Sequence, residues 1–129
     1  MLGQPRIVHV DDDPDIREIT RLALELVGGL EVVQFASGQE VLLGAVAAQP
    51  DLFLLDVMMP GMNGEETLQK LRAMPEFAET PVLFMTAKAQ YSDIDKLKAA
   101  GALDVIVKPF DPMLLAADIV RIWSQRGQA

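Results

Sequence analysis

The chain contains no cysteine, and its 129 residues include one histidine and one tryptophan. The absence of thiols excludes disulfides, thiolate zinc sites and a cysteine nucleophile. The single histidine, His9, lies within an apolar run and is predicted to pack in the interior rather than to bind a ligand. Basic residues are also scarce: 11 lysines and arginines stand against 19 acidic residues, for a formal net charge of −8. This balance argues against a nucleic-acid partner, whose phosphates require a basic face.

Long hydrophobic runs and targeting signals are missing as well. No apolar stretch approaches the ~20 residues that cross a bilayer, so the sequence predicts no membrane association. The residues before Ile7 are too few and too polar for a signal peptide, and a cytoplasmic location is expected. Half of the residues are hydrophobic and no segment is of low complexity. This composition predicts one folded domain over residues 1–129.

Short apolar strands and amphipathic helices alternate along the chain. The strands are predicted at residues 7–10, 31–35, 52–55, 82–85 and 105–107. Strands that alternate with helices form crossover units, which build a parallel sheet covered on both faces. We therefore expect an α/β fold of the flavodoxin-like type, a three-layer (βα)5 sandwich whose open five-stranded parallel sheet has the order 2-1-3-4-5. The second strand ends without a charged residue, as an edge strand remote from a functional site would.

Capping signals predict where the helices begin and end. Asp13-Pro14 provides an N-cap followed by proline at the first helical position, and Gly28-Gly29 ends that helix. Apolar residues recur within it at helical spacing and are predicted to face the core: Ile16, Ile19, Ala23, Leu26 and Val27. Asn63 and Glu66 have capping-box spacing at the start of the third helix. Asp111-Pro112 is predicted to cap the last helix.

Four of the predicted strands end in charged or hydroxyl residues. The residues at these ends are Asp11, Asp12, Asp56, Thr86 and Lys108. Because the carboxyl ends of parallel strands lie at one edge of a sheet, these side chains are expected to share a pocket. Taken alone, an aspartate, threonine or lysine at a strand end is usually a turn, structural or solvated residue. Four such ends together indicate a site for a divalent metal and a phosphoryl group.

The charges of this pocket favour Mg²⁺. Three carboxylates held close together cannot all remain ionised unaided, and Lys108 offsets only one of them. Oxygen ligands without histidine or thiol suit Mg²⁺ better than zinc or copper. Asp56 stands alone at the end of the central apolar strand and is the natural nucleophile, since a carboxylate can accept a phosphoryl group as an acyl phosphate. Asp11 and Asp12 are then metal-site acids, and Thr86 can hydrogen-bond a phosphoryl oxygen.

Four motifs at these positions resemble the receiver domain of two-component response regulators. They are Val10-Asp11-Asp12-Asp13, the run LDVMMPGMNG from Leu55 to Gly64, Met85-Thr86-Ala87 and Val107-Lys108-Pro109-Phe110. The resemblance covers the chain from about Arg6 to Trp123. It implies a single-domain, chemotaxis-regulator-like phosphoacceptor switch, in which Asp56 takes a phosphoryl group from a sensor histidine kinase or a histidine phosphotransfer protein. The output would be binding to a downstream protein.

For the metal, the resemblance implies Mg²⁺ bound by Asp12, Asp56 and the backbone carbonyl of Met58, with Asp11 assisting mainly through water. The side chain of Met58 lies two positions beyond the acceptor, where family members vary and water access is set. Lys88 holds the equivalent position beyond the threonine. A bulky apolar residue and a lysine there are expected to slow the loss of the phosphoryl group. The chain would then be a self-phosphorylating acceptor and not a turnover enzyme.

For the phosphoryl group, the resemblance implies two contacts and one residue that leaves access to the acceptor. Thr86 would carry the switch hydroxyl, and Lys108 would contact the phosphoryl oxygens. The family makes the peptide bond between Lys108 and Pro109 cis. Ala87 would be the small residue that leaves access to the aspartate.

The family signals through its fourth helix, fifth strand and fifth helix. On this chain that face would include Tyr91, Asp95, Lys98 and Val105. Many receivers have tyrosine or phenylalanine where this chain has Val105. We therefore expect Thr86 to move on phosphorylation while Val105 reports the movement weakly, through packing.

Other functions compete with this interpretation. A Mg²⁺-dependent phosphohydrolase shares the carboxylate chemistry but usually needs a cap or extra loops, for which the short connections leave little room. A flavodoxin-like mononucleotide binder would need a hydroxyl- and glycine-rich first loop, whereas residues 11–13 would repel a phosphate without metal. A receiver-like module that binds partners without phosphorylation is disfavoured by the complete set of Asp12, Asp56, Thr86 and Lys108.

Overall fold

The computed structural model describes residues 3–88 and 90–126, and within them five strands alternate with five α-helices. The strands are β1 (Ile7–Val10), β2 (Val32–Phe35), β3 (Leu52–Asp56), β4 (Val82–Thr86) and β5 (Asp104–Val107). The helices are α1 (Pro14–Arg21), α2 (Gly38–Ala48), α3 (Gly64–Arg72), α4 (Tyr91–Ala99) and α5 (Leu115–Ser124). A π-helical segment (Leu22–Val27) continues α1, and a short 3-10 helix (Pro75–Phe77) follows α3. Residues 1–2 and 127–129 of the predicted domain lie outside the described residues.

The five strands form one parallel sheet in the order β2-β1-β3-β4-β5, as predicted. Val10 lies opposite Phe35 of β2 on one side and Leu55 of β3 on the other. The uncharged end of β2 is therefore at the edge of the sheet. The four strands that end in functional side chains are contiguous, so their carboxyl ends form one edge.

Helices cover both faces of the sheet, which confirms the three-layer α/β fold. On one face, buried residues of β1, β3 and β4 pack against α2, α3 and α4, and the rings of Phe53 and Phe77 meet edge to face at 5.1 Å. On the other face, the same strands pack against the π-helical segment and α5. All residues of β3 and β4 are buried, as expected for central strands of a sheet covered on both sides. Within the described residues, no helix has the length and hydropathy needed to cross a membrane.

The inward face predicted for the first helix is partly wrong. Ala23 is buried, but Ile19 and Val27 are exposed and Leu26 is 79% exposed. Thr20 and Leu24 are buried in their place. The N–H of Gly28 donates to the carbonyl of Ala23, five residues earlier, at 3.2 Å. This wider hydrogen-bond spacing changes which side chains face the sheet over the last part of the helix.

Capping signals located most helix starts but misplaced the last one. The capping box of α3 is present, because Asn63 accepts from the Glu66 N–H at 2.9 Å and Glu66 accepts from the Asn63 N–H at 3.1 Å. Asp111 accepts from the Met113 N–H at 2.9 Å, yet this bond closes a turn, and α5 begins only at Leu115. The Asp111 side chain therefore stabilises the turn that leads into the helix.

Candidate functional site

The residues predicted for the site meet at the carboxyl ends of the strands. Asp11 follows β1, Asp56 and Thr86 are the last residues of β3 and β4, and Lys108 follows β5. They line a cavity of about 250 Å³, which we call the acidic cavity. Its lining residues are Asp11, Asp12, Asp13, Ile16, Asp56, Met58, Thr86, Ala87 and Lys108. The fold thus brings together every side chain that the sequence placed in the pocket.

Three carboxylates converge in the acidic cavity. One carboxylate oxygen from each of Asp11, Asp12 and Asp56 lies within 4.8 Å of the others. Asp11 is 1% exposed and Asp56 5% exposed, whereas Asp12 is at the surface. Like charges this close repel one another, and burial of two of them removes much of the screening by water. The cluster therefore has the geometry and charge to hold a cation.

Lys108 neutralises only part of this charge. Its Nζ donates to Asp56 Oδ1 at 2.8 Å and to Asp11 Oδ2 at 3.1 Å. Burial raises the pKa of Asp56; the hydrogen bond from Lys108 opposes this rise, and the nearby charges of Asp11 and Asp12 add to it. Burial lowers the pKa of Lys108, but its bonds to the two carboxylates outweigh that effect and the pKa is raised. One firmly protonated ammonium among three carboxylates leaves the cavity short of positive charge.

The backbone around Asp56 is held by close packing of α3. The N–H of Val57 donates to the Met85 carbonyl at 3.1 Å, and the N–H of Gly64 donates to the Val57 carbonyl at 3.0 Å. A Cβ at Gly64 would lie 2.4 Å from the Asp56 carbonyl oxygen. A glycine is therefore required for the start of α3 to approach the end of β3. This approach positions the loop that carries Met58 beside the cavity.

Outside the strand-end motifs, Gln34 contacts Arg17, and Arg17 in turn contacts Asp11. Asp11 Oδ1 accepts from the Asp13 N–H at 2.9 Å, and Arg17 donates to the Asp11 carbonyl oxygen at 2.7 Å. The Gln34 amide donates to the Arg17 carbonyl at 2.7 Å and contacts His9 Nδ1 at 3.0 Å. Arg17 and Gln34 lie in different elements with no motif around them, so nothing in the sequence would have marked them.

Thr86 and Lys108 are placed where they can contact a group bound to Asp56. Thr86 is buried, and its Oγ1 accepts from the Lys88 N–H at 3.0 Å, which leaves its own hydroxyl hydrogen free to donate. The peptide bond between Lys108 and Pro109 is cis, as the resemblance implied. Ala87 follows Thr86 on the exposed rim of the acidic cavity.

The predicted signalling face is formed by α4, β5 and α5. Tyr91 is exposed at the start of α4, and the Lys98 Nζ lies 3.5 Å from Asp104 Oδ1 of β5. Val105 is half-buried and packs against the core beneath α4. The face therefore begins one strand away from Thr86, since the last residue of β4, Thr86, lies opposite Val107 of β5.

Comparison with known proteins assigns the family. Residues 7–120 match the family model of the response regulator receiver domain. The chain belongs to this family. Its receiver sequence is 36% identical over 129 residues to the transcriptional regulatory protein CseB of Streptomyces coelicolor, covering 100% of this chain and 53% of CseB. It is 40% identical over 107 residues to the DNA-binding dual master transcriptional regulator RpaA of Synechocystis, covering 83% of this chain and 44% of RpaA.

Solved receiver structures have the same fold. The chemotaxis protein CheY4 of Vibrio cholerae superimposes with a TM-score of 0.84 at 32% identity, covering 93% of this chain and 99% of CheY4. The beryllofluoride-activated DrrB receiver domain gives a TM-score of 0.78 at 30% identity, covering 95% of this chain and 99% of DrrB. The receiver spans about half the length of the curated regulators that it matches and nearly all of these two structures.

Proposed function

We propose that this receiver is a phosphoacceptor switch in which Asp56 takes a phosphoryl group from a phosphohistidine. The observation that carries the proposal is the position of Lys108, whose Nζ lies 2.8 Å from Asp56 Oδ1 beside two further carboxylates. In the transfer, a carboxylate oxygen of Asp56 forms a bond to phosphorus while the bond from phosphorus to the donor nitrogen breaks. The electron pair of that bond returns to the imidazole of the donor. The donor would be a sensor histidine kinase or a histidine phosphotransfer protein.

A Mg²⁺ ion fits the acidic cavity. Asp12, Asp56 and the backbone carbonyl of Met58 would hold it, and Asp11 would bind it mainly through water. All of these groups offer oxygen atoms, and the cavity has a deficit of positive charge that a divalent cation would remove. When bound, the ion neutralises negative charge on the phosphoryl group during transfer.

Lys108 and Thr86 would convert the new phosphoryl group into a signal. Lys108 now pairs with Asp56 and Asp11, and it would move its hydrogen bond to a phosphoryl oxygen. Thr86 would donate its hydroxyl hydrogen to another oxygen and draw the loop that carries Lys88 with it. Such a shift can bias the packing of α4 and β5. The downstream protein would bind the face formed by α4, β5 and α5.

We also propose that the phosphoryl group is lost slowly. Met58 and Lys88 line a second, smaller cavity beside the acidic one, and Thr86 is part of the lining of both cavities. The thioether of Met58 and the ammonium of Lys88 are not bases, so neither of these two side chains activates an attacking water, whereas the carboxylates of Glu65 and Asp93 line the same cavity. Replacing Met58 and Lys88 by polar and acidic groups in a Met58→Asn, Lys88→Glu double variant is expected to shorten the lifetime of the phosphoryl group. A double variant that loses phosphate no faster than wild type would contradict this part.

The function is tested by intact mass measurement after incubation with Mg²⁺ and acetyl phosphate. We expect the protein to gain one phosphoryl group, and Asp56→Asn to gain none. Asp95→Asn is the matched control, because Asp95 is an exposed aspartate of α4 that does not line the cavity, and it should gain the group like wild type. Absence of the gain in wild type would contradict the proposal, and steady turnover of added phosphoesters would instead favour a phosphohydrolase.

A further inference from the structure

Met58 belongs to the lining of two neighbouring cavities. It lines the acidic cavity of about 250 Å³ together with Asp56. It also lines the neighbouring cavity of about 130 Å³, which we call the side cavity, together with Lys88. Met58 is 66% exposed. Solvent that reaches Asp56 from the side cavity therefore passes a flexible, uncharged thioether.

Met58 is also unusually open to oxidants among the methionines of the described residues. Met59 and Met85 are buried, Met62 and Met74 are half-buried, and only Met113 matches Met58, at 67% exposure. Oxidation of methionine follows exposure, so peroxide is expected to reach these two sulfurs first. Met113 follows β5 and lines neither cavity, whereas Met58 lies two residues from Asp56. The two residues therefore differ in location and not in accessibility.

We propose that Met58 is a reversible oxidation site that controls how long the phosphoryl group remains on Asp56; this rests on the function proposed above. The thioether sulfur attacks one oxygen of a peroxide, the O–O bond breaks, and an S–O bond forms. The sulfur loses two electrons, and the displaced hydroxide takes up a proton and leaves as water. A methionine sulfoxide reductase supplied with a thiol removes the oxygen again as water.

The sulfoxide changes the polarity of the wall between the cavities. A thioether is a weak hydrogen-bond acceptor, whereas a sulfoxide oxygen accepts strongly and can hold water. The sulfoxide oxygen can also accept from the Lys88 ammonium, which lines the same side cavity. Water held at this wall lies closer to the acidic cavity and favours attack on phosphorus. We expect oxidation of Met58 to accelerate loss of the phosphoryl group about fivefold, which corresponds to about 1 kcal/mol in the activation free energy.

The experiment compares the 129-residue chain in its reduced form and after treatment with peroxide. Both are loaded with acetyl phosphate and Mg²⁺, excess donor is removed, and decay of the phosphorylated species is followed by intact mass, with oxidised residues identified by peptide mapping. Wild type and Met113→Leu should decay faster after peroxide treatment. Met58→Leu should show the same half-life before and after treatment. Treatment with methionine sulfoxide reductase and dithiothreitol should restore the slow decay of wild type.

The results distinguish failure of the proposed function from failure of the inference about Met58. If reduced wild type gains no phosphoryl group, the proposed function fails and this inference falls with it. If wild type is phosphorylated and Met58 is oxidised but the half-life is unchanged, only the inference is overturned. It is overturned as well if Met113 is oxidised while Met58 is not, or if Met58→Leu responds to peroxide as strongly as wild type.

Discussion

The buried histidine of β1 should make the stability of this protein depend on pH. His9 has no exposed surface, and burial, with smaller contributions from the charges of Lys108 and Arg17, lowers its pKa to about 3. An unfolded histidine titrates near about 6.5. Below that pH the unfolded chain binds a proton that the folded chain does not take up. The free energy of unfolding therefore falls as the pH is lowered from about 6.5 towards 3.

The size of the effect follows from these two pKa values. Between pH 7.5 and pH 5.0 the folded imidazole stays neutral. The unfolded imidazole becomes protonated, because pH 5.0 lies about 1.5 units below its pKa. Protonation of His9 in the unfolded chain is then expected to lower the free energy of unfolding by about 2 kcal/mol. With a urea dependence of about 2 kcal/mol per molar, the unfolding midpoint should shift by about 1 M.

The assay is urea unfolding at both pH values in EDTA, for wild type and for His9→Leu. Carboxylates contribute to the pH dependence of both proteins, so the difference between them isolates the histidine. From pH 7.5 to pH 5.0, the free energy of unfolding of His9→Leu should fall by about 2 kcal/mol less than that of wild type. The reasoning would be refuted if the two proteins lost the same amount, because His9 would then titrate alike in the folded and unfolded states.

Three further predictions concern packing, capping and the cation. Gly28→Ala should lower the free energy of unfolding by about 1–3 kcal/mol, because the added Cβ would lie 2.3 Å from the Ala116 Cβ. Gly3→Ala is the control: its Cβ would meet no atom within 4 Å, so the free energy of unfolding should change by less than about 0.5 kcal/mol. Asn63→Ala should cost about 1 kcal/mol in the same assay through loss of the α3 cap, and an unchanged midpoint would count against that bond. Mg²⁺ should raise the thermal midpoint of wild type and Asp95→Asn, and an equal rise in Asp12→Asn would exclude Asp12 as a ligand.

Local patterns accounted for the strands, the sheet order and the membership of the pocket. An apolar run followed by a polar residue is a pattern of neighbouring positions and can be recognised without knowledge of the fold. Asp56 and Thr86 could therefore be placed at strand ends from the sequence. The first helix was harder to predict because its buried face includes the polar Thr20 and leaves Leu26 exposed. That face depends on a π-helical segment packed against α5, and a single helix contains no information about its neighbour.

The α/β class, the strand order and the set of side chains at the functional edge follow from the order of the residues, because strand spacing and strand-end chemistry are local properties. How these side chains are paired depends on the folded chain. Lys108 lies 97 positions from Asp11 and 52 from Asp56, and it binds both. The packing of the folded chain also buries Asp11 and leaves Asp12, its neighbour in sequence, exposed. Distances, burial and pKa values arise from contacts between distant parts of the chain, and those contacts exist only once the sheet and its helices have packed.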